Sequence, residues 1–227
     1  PKDFDGNKEE YLEMMANELL PKIKKENLSP RVDAFIEEGA FSRADITPYF
    51  EKASALGFDI TVHADQFSVG GSEVAVHHKA LSADHLEAST SKEINLLAKS
   101  DVIAVALPGA SLGLGCNFTP ARALLDAGAA VAIASDHNPG SAPMGQLLTQ
   151  AAILGAFEKL TTAEVLAGIT YRAATALGLK DRGVLTQGML ADLALFKTRD
   201  HREILYHQGN LQPSSVIKKG ALVYSNL

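Results

Sequence analysis

Residues 101–108 read Asp-Val-Ile-Ala-Val-Ala-Leu-Pro, an apolar run with no polar residue interleaved after Asp101. A strand with one face in water alternates polar and apolar residues. A strand without alternation is buried on both faces, as in a parallel sheet covered by helices. AAVAIAS (129–135) has the same character, and Asp136 closes it. Upstream, VDAFIEE (32–38), FDITV (58–62) and KALSADHL (79–86) read as further strands. The strand ends fall at Glu37, His63, His85, Leu107 and Asp136, separated by 22 to 29 residues, which is a β-strand-plus-helix rhythm. The fold class is therefore α/β with a parallel sheet.

Helices fill the gaps. Tyr11, Met14, Met15, Leu19 and Ile23 predict a helix over 8–26, disturbed late by Pro21. Ser42 with Asp45 marks a helix start that Gly57 stops, and Thr90 with Glu93 is a capping box for 91–99. Gly70-Gly71 turns into a short helix through Val74. Thr119 followed by Pro120 reads as an N-cap with proline at the first helical position, opening a helix through Leu124 and Leu125 that ends near Gly128. Residues 145–178 are helical, with Thr161 and Glu164 opening one segment. Beyond Gly183, residues 191–196, 201–206 and 214–225 read as short β segments. This divides the chain into 1–182 and a small β unit, 183–227.

The composition bounds the function. The 227 residues are 46% hydrophobic and 21% charged, which excludes disorder and low complexity. A formal net charge of −6 argues against nucleic acid or an anionic membrane as partner. The single cysteine, Cys116, rules out an intrachain disulfide and points to a reducing, cytoplasmic setting. No apolar run reaches the ~18 residues of a membrane span. The chain opens Pro1-Lys2-Asp3, without an initiator Met or a signal-peptide pattern, and is expected to be a piece of something longer.

The strand ends carry the chemistry. In parallel α/β folds the C-terminal edge of the sheet is where sites are built. His63 and Asp136 offer the imidazole and carboxylate that ligate a hydrolytic Zn²⁺ or similar ion. His85 is a third candidate, as a ligand or as a general base toward the attacking water. Each alone is equally a hydrogen-bonded polar residue at a strand end, and the functional reading rests on all three sharing one edge. Gln66 can donate and accept toward an amide-like ring. One of Glu37 and Glu38 should face the same mouth, and alternation alone leaves open which. Asp136-His137-Asn138-Pro139-Gly140-Ser141 makes a fixed turn able to aim backbone N–H groups at an anion. His77-His78, His201, His207 and Cys116 read as packed or solvated.

Together, His-Ala-Asp-Gln-Phe (63–67), Leu-Ser-Ala-Asp-His-Leu (81–86), Leu107-Pro108 and Ser-Asp-His-Asn-Pro-Gly (135–140) resemble the imidazolonepropionase family of the amidohydrolase superfamily. VDAFIEEGAF (32–41) and Gly-Met-Leu-Ala-Asp-Leu (188–193) extend the resemblance along nearly the whole chain. The resemblance implies a (β/α)₈ TIM barrel beside a small β-sandwich, with this chain matching about strands four to eight and the C-terminal β segment. It implies one metal ion, zinc or iron, held by His63 and Asp136, with His85 and Asp136 catalytic. Gln66, Asn138, Gly140 and Ser141 would bind the substrate. The implied reaction is hydrolysis of the ring amide of 4-imidazolone-5-propanoate to N-formimidoyl-L-glutamate, in histidine degradation. The implied partner is that small molecule, with no nucleic acid and no membrane, and a homodimer is compatible with it. The family's first strand ends in a His-x-His pair that supplies two further ligands, and no His-x-His occurs here. This chain alone is therefore expected to bind metal weakly and to be inactive. The alternatives are another cyclic-amide hydrolase or nucleobase deaminase of the superfamily, or a metal-free, non-catalytic fragment.

Overall fold

In the computed structural model, which describes residues 4–226, the chain opens on α1 (Lys8–Met14), a π-helical stretch (Met15–Leu19) and α2 (Leu20–Glu26). The single helix expected over 8–26 is thus widened just before Pro21, which sits in the first turn of α2. Proline lacks the N–H for an intrahelical bond and its ring crowds the preceding turn, and a π stretch relieves both. Five strands follow, each delivered by a helix. They are β1 (Arg31–Ile36), α3 (Arg43–Ala55), β2 (Asp59–Ala64), α4 (Gly71–His77), β3 (Ser82–His85), α5 (Ser91–Ala98) and β4 (Ile103–Ala106). Then come α6 (Pro108–Leu114), α7 (Ala121–Ala127) and β5 (Val131–Ile133). The five strands are parallel and lie in sequence order. Ser42 with Asp45 and Thr90 with Glu93 form reciprocal capping boxes, and Gly128 ends α7 in the left-handed region.

The outer face of the sheet is wholly apolar. Val32, Ile36, Ile60, Val62, Val131 and Ile133 pack there under the helices with Phe50, Leu97 and Leu124. The α4 helix starts so close to β2 that a Cβ on Gly71 would overlap the backbone of Ala64. The inner face is split. At β4 and β5 it is apolar, with Ile103, Val105, Leu107 and Ala132 packed against Ala176. At β1 to β3 it carries polar side chains, among them Thr61, His63 and Asp84.

Three helices follow, α8 (Leu147–Phe157), α9 (Thr162–Gly168) and α10 (Tyr171–Ala176). Arg31, at the start of β1, donates to the Leu177 carbonyl at 2.7 Å and ties the end of α10 to the sheet. A separate antiparallel sheet holds β6 (Leu193–Leu195), β7 (Ser215–Lys218) and β8 (Ala221–Ser225). The segment 201–206, expected as β, instead forms the helical turn α11 (Glu203–Tyr206). Asp200 accepts from the Arg202 N–H at 3.0 Å and its guanidinium at 2.9 Å, curling the chain, and helical spacing buries Leu205. No helix among the described residues is long and apolar enough to cross a membrane.

Candidate active site

The site is built where the inner face of the sheet meets the loops after β1, β2, β3 and β5. Alternation along β2 sends Val62 and Ala64 outward, so His63 faces in. Its ring is sandwiched between Phe35 from β1 (centroids 3.6 Å apart, planes 21° apart) and His85 (4.2 Å, 49°). The ring is buried, and its Nε2 has no hydrogen-bond partner. Burial pushes its pKa down to about 3, with the neighbouring His85 adding to the shift, so the imidazole is neutral.

His85 reaches this face only through an unusual backbone. In register it pairs with Ala64, an outward position. A φ of +87° at His85, followed by +73° at Leu86, turns the ring inward against His63. Non-glycine residues pay for that conformation, and such strain concentrates at functional sites. The Thr119 hydroxyl donates to the His85 carbonyl and helps hold the bend. This corrects the expected capping role of Thr119, since the N-cap of α7 is Pro120. The His85 Nδ1 is buried, unpartnered, and 3.6 Å from Oε1 of Glu87.

Of the two glutamates after β1, Glu37 is the one turned to the site. It accepts the backbone N–H of Gln66 (2.6 Å), Phe67 (3.2 Å) and Ser68 (2.8 Å), and the Ser68 hydroxyl (2.6 Å). The same carboxylate lies 3.7 Å from His63 Nε2. Glu38 is exposed. Gln66 is buried beside these groups. Asp65 accepts from Gly70 N–H (2.9 Å), Ser72 N–H (3.2 Å), the Ser89 hydroxyl (2.9 Å) and the Ser72 hydroxyl, and so ties the loops after β2 and β3 together.

Asp136 follows β5 with a φ of +48°. It lines a cavity of about 300 Å³ together with Asp84, Thr61 and Leu107. Asp84 pairs in register with His63 on the inner face. Burial raises the Asp84 carboxyl to about 6, and its Oδ1 has no partner. The loop beyond Asp136 closes on itself. Asn138 donates to the Asp136 carbonyl at 2.6 Å and accepts the N–H groups of Gly140 and Ser141, both at 2.8 Å. It also donates to the Ser141 hydroxyl at 3.2 Å. Helix α6 runs against this loop, and a Cβ on Gly113 would collide with the Ser141 carbonyl.

The structure thus brings His63, His85, Glu37 and Gln66 together, while Asp136 lines with Asp84 a cavity that none of those four lines. Among the described residues, no group of three or more His, Cys, Asp or Glu side chains is arranged to hold a metal ion. His77 and His78 lie at the end of α4, His78 edge-on to Phe50 at 5.3 Å, and Cys116 is a half-buried free thiol. Sequence reasoning passed over Asp84 and Glu87. Period-two alternation from His63 across the β2–β3 register was the available signal for Asp84, whereas the Glu87 contact depends on the bend at His85.

The amidohydrolase family model matches residues 14–224, and the chain belongs to that family. Within it the resemblance is to imidazolonepropionases. The chain is 41% identical over 213 residues to the imidazolonepropionase of Deinococcus radiodurans, an alignment covering 93% of this chain and 53% of that protein. That of Paracidovorax citrulli is 36% identical, covering 98% of this chain and 54% of the relative. The chain therefore spans about half the length of these curated relatives. An adenosine deaminase from Xanthomonas campestris, solved with bound zinc, shares the fold at a TM-score of 0.72 and 21% identity, covering 92% of this chain and 55% of that one. The five-stranded sheet is part of an amidohydrolase TIM barrel.

Proposed function

We propose that this sequence is the C-terminal part of an imidazolonepropionase, adding water across the ring amide of 4-imidazolone-5-propanoate to give N-formimidoyl-L-glutamate, a small-molecule reaction of the cytoplasm. In this reading residues 1–182 belong to the barrel and 183–227 to a small β domain. The observation that carries it is the pair of adjoining imidazoles, His63 and His85, tilted 49° to one another with centroids 4.2 Å apart, each with a buried nitrogen left unpartnered.

The donor set fits a zinc or iron ion in part. His63 offers a neutral imidazole with a free Nε2, and Asp136, three strands along at the end of β5, offers a carboxylate at the cavity it lines with Asp84. When bound, such an ion supplies Lewis acidity, polarising the ring carbonyl and making water a stronger acid. His85 accepts the proton of the attacking water as a C–O bond forms at the carbonyl carbon. It then delivers a proton to the ring nitrogen as the C–N bond breaks. Asp136 assists that transfer. Gln66 faces the ring, and the Asn138 side chain, spent inside its own loop, fixes Gly140 and Ser141 for the propionate side.

The test is loss of imidazolone absorbance, with elemental analysis for metal, on a full-length enzyme carrying this sequence together with the strands that supply the remaining ligands, and on its His85→Ala variant. Turnover abolished with metal retained supports the assignment. Parallel loss of metal makes His85 a ligand instead. Turnover of a nucleobase in place of the imidazolone overturns the substrate.

A further inference from the structure

We propose that Glu87 is a positioning residue that fixes the tautomer of His85, placing the proton on Nδ1 and leaving Nε2 as the free, basic nitrogen. The catalytic value of this arrangement rests on the reading of His85 given above, but the arrangement itself does not.

Two under-satisfied groups face each other across the bend that follows β3. Glu87 stands two residues beyond His85, past the left-handed bend, and its side chain is 2% exposed. A carboxylate so deeply buried needs donors, because burying a charge without hydrogen bonds is costly. Glu87 has one: the Ser111 hydroxyl, from α6, donates to its Oε1 at 2.9 Å. Its Oε2 is buried with no partner. A complementary group, His85 Nδ1, lies 3.6 Å from Oε1 and is itself buried with no partner.

The chemistry of the pair then selects a tautomer. A lone pair on Nδ1 would point at a carboxylate oxygen, acceptor against acceptor. A proton on Nδ1 places a donor against that oxygen. A neutral imidazole protonated at Nδ1 carries its lone pair on Nε2, so Glu87 decides which nitrogen can take a proton from water. Catalytic histidine contacts of this kind are often long without substrate and tighten when it binds. Ser111 restrains the same carboxylate oxygen that faces His85, so β3, its bend and α6 together aim one ring.

The experiment is long-range ¹H–¹⁵N correlation of the histidine side chains in uniformly labelled protein, at a pH where imidazoles are neutral, with His85 assigned by its loss in His85→Gln. The expected result is a pyrrole-type Nδ1 and a pyridine-type Nε2. Glu87→Leu should move His85 to the opposite tautomer or to an averaged mixture. Glu87→Gln, whose amide oxygen still accepts, should restore the wild-type pattern. Should Glu87→Leu fail to fold, the wild-type spectrum and the Glu87→Gln variant still decide the matter. A pyridine-type Nδ1 in the wild type, or an unchanged pattern in a folded Glu87→Leu, overturns the proposal. Because no substrate is involved, a correct tautomer in this chain, with no imidazolone hydrolysis by a full-length enzyme carrying the sequence, would count against the proposed function and leave this inference standing.

Discussion

The two faces of the five-stranded sheet obey different rules. On the outer face every side chain from β1 to β5 is apolar and buried, closed over by helices of which α3 and α5 start on reciprocal caps. On the inner face of β1 to β3 the same strands present Thr61, His63 and Asp84, each with a buried polar atom that has no partner. A stable core does not leave such atoms unpaired. The outer face accounts for why the chain folds, and the inner face keeps binding capacity in reserve at a cost to stability.

Substitution of one aromatic from each face gives the most direct way to break this contrast. Phe50 is fully buried on the outer side, and Phe50→Ala should cost ~3–5 kcal/mol, seen as a large drop in the urea midpoint. Phe35, on the inner face against His63, is 52% exposed, and Phe35→Ala should cost about 1 kcal/mol. Equal losses would show that the inner face is as much a stabilising core as the outer.

Gly71→Ala probes the closeness of packing on the outer face. The added methyl has to displace the α4 start from Ala64, and thermal unfolding should report a loss of ~1–3 kcal/mol. Wild-type stability in this variant would mean that the helix moves freely over the sheet.

Asp84 should show the opposite sign. Its folded carboxyl is raised from 3.8 to about 6, so the folded state holds its proton longer than the unfolded chain. The penalty is absent below the lower value, grows between the two, and is fully present above about 6. Stability should fall as pH rises through that window, and Asp84→Asn should flatten the profile and gain ~1–2 kcal/mol at neutral pH. A stability loss in Asp84→Asn at neutral pH would mean that the charge is matched by a group on this face.

The smallest effect belongs to a surface link between helices. Arg122 on α7 donates two bonds to Glu164 on α9, both at 3.0 Å, and this pairing lowers the Glu164 carboxyl to about 2. A depressed carboxylate stabilises above its unfolded value of 4.5 and loses that contribution as pH falls toward its folded value. Both partners are partly exposed, so Glu164→Gln should cost under about 1 kcal/mol, visible as a weaker acid-side decline in melting temperature.

The sequence alone determined the five strands of the parallel sheet and their order, the capping boxes at Ser42, Thr90 and Thr161, the glycine stop at Gly128 and the identity of the strand-end residues, because each of these is set within about a dozen neighbouring residues. Apolar runs reported burial on both faces, and the positions of His63, His85 and Asp136 at strand ends followed from counting. Tertiary structure decided how those residues meet. It chose Glu37 over Glu38, because only the former aims at the N–H groups of the 66–68 turn. It turned His85 from an outward register to an inward one through a left-handed φ that no local pattern announces, and it drew Thr119 away from capping to hold that bend. It also widened the first helix ahead of Pro21 and curled 201–206 into a helix over Leu205. Periodicity is a local property of the chain, whereas side-chain convergence depends on register between strands and on backbone strain. Those arise only when distant segments pack against each other.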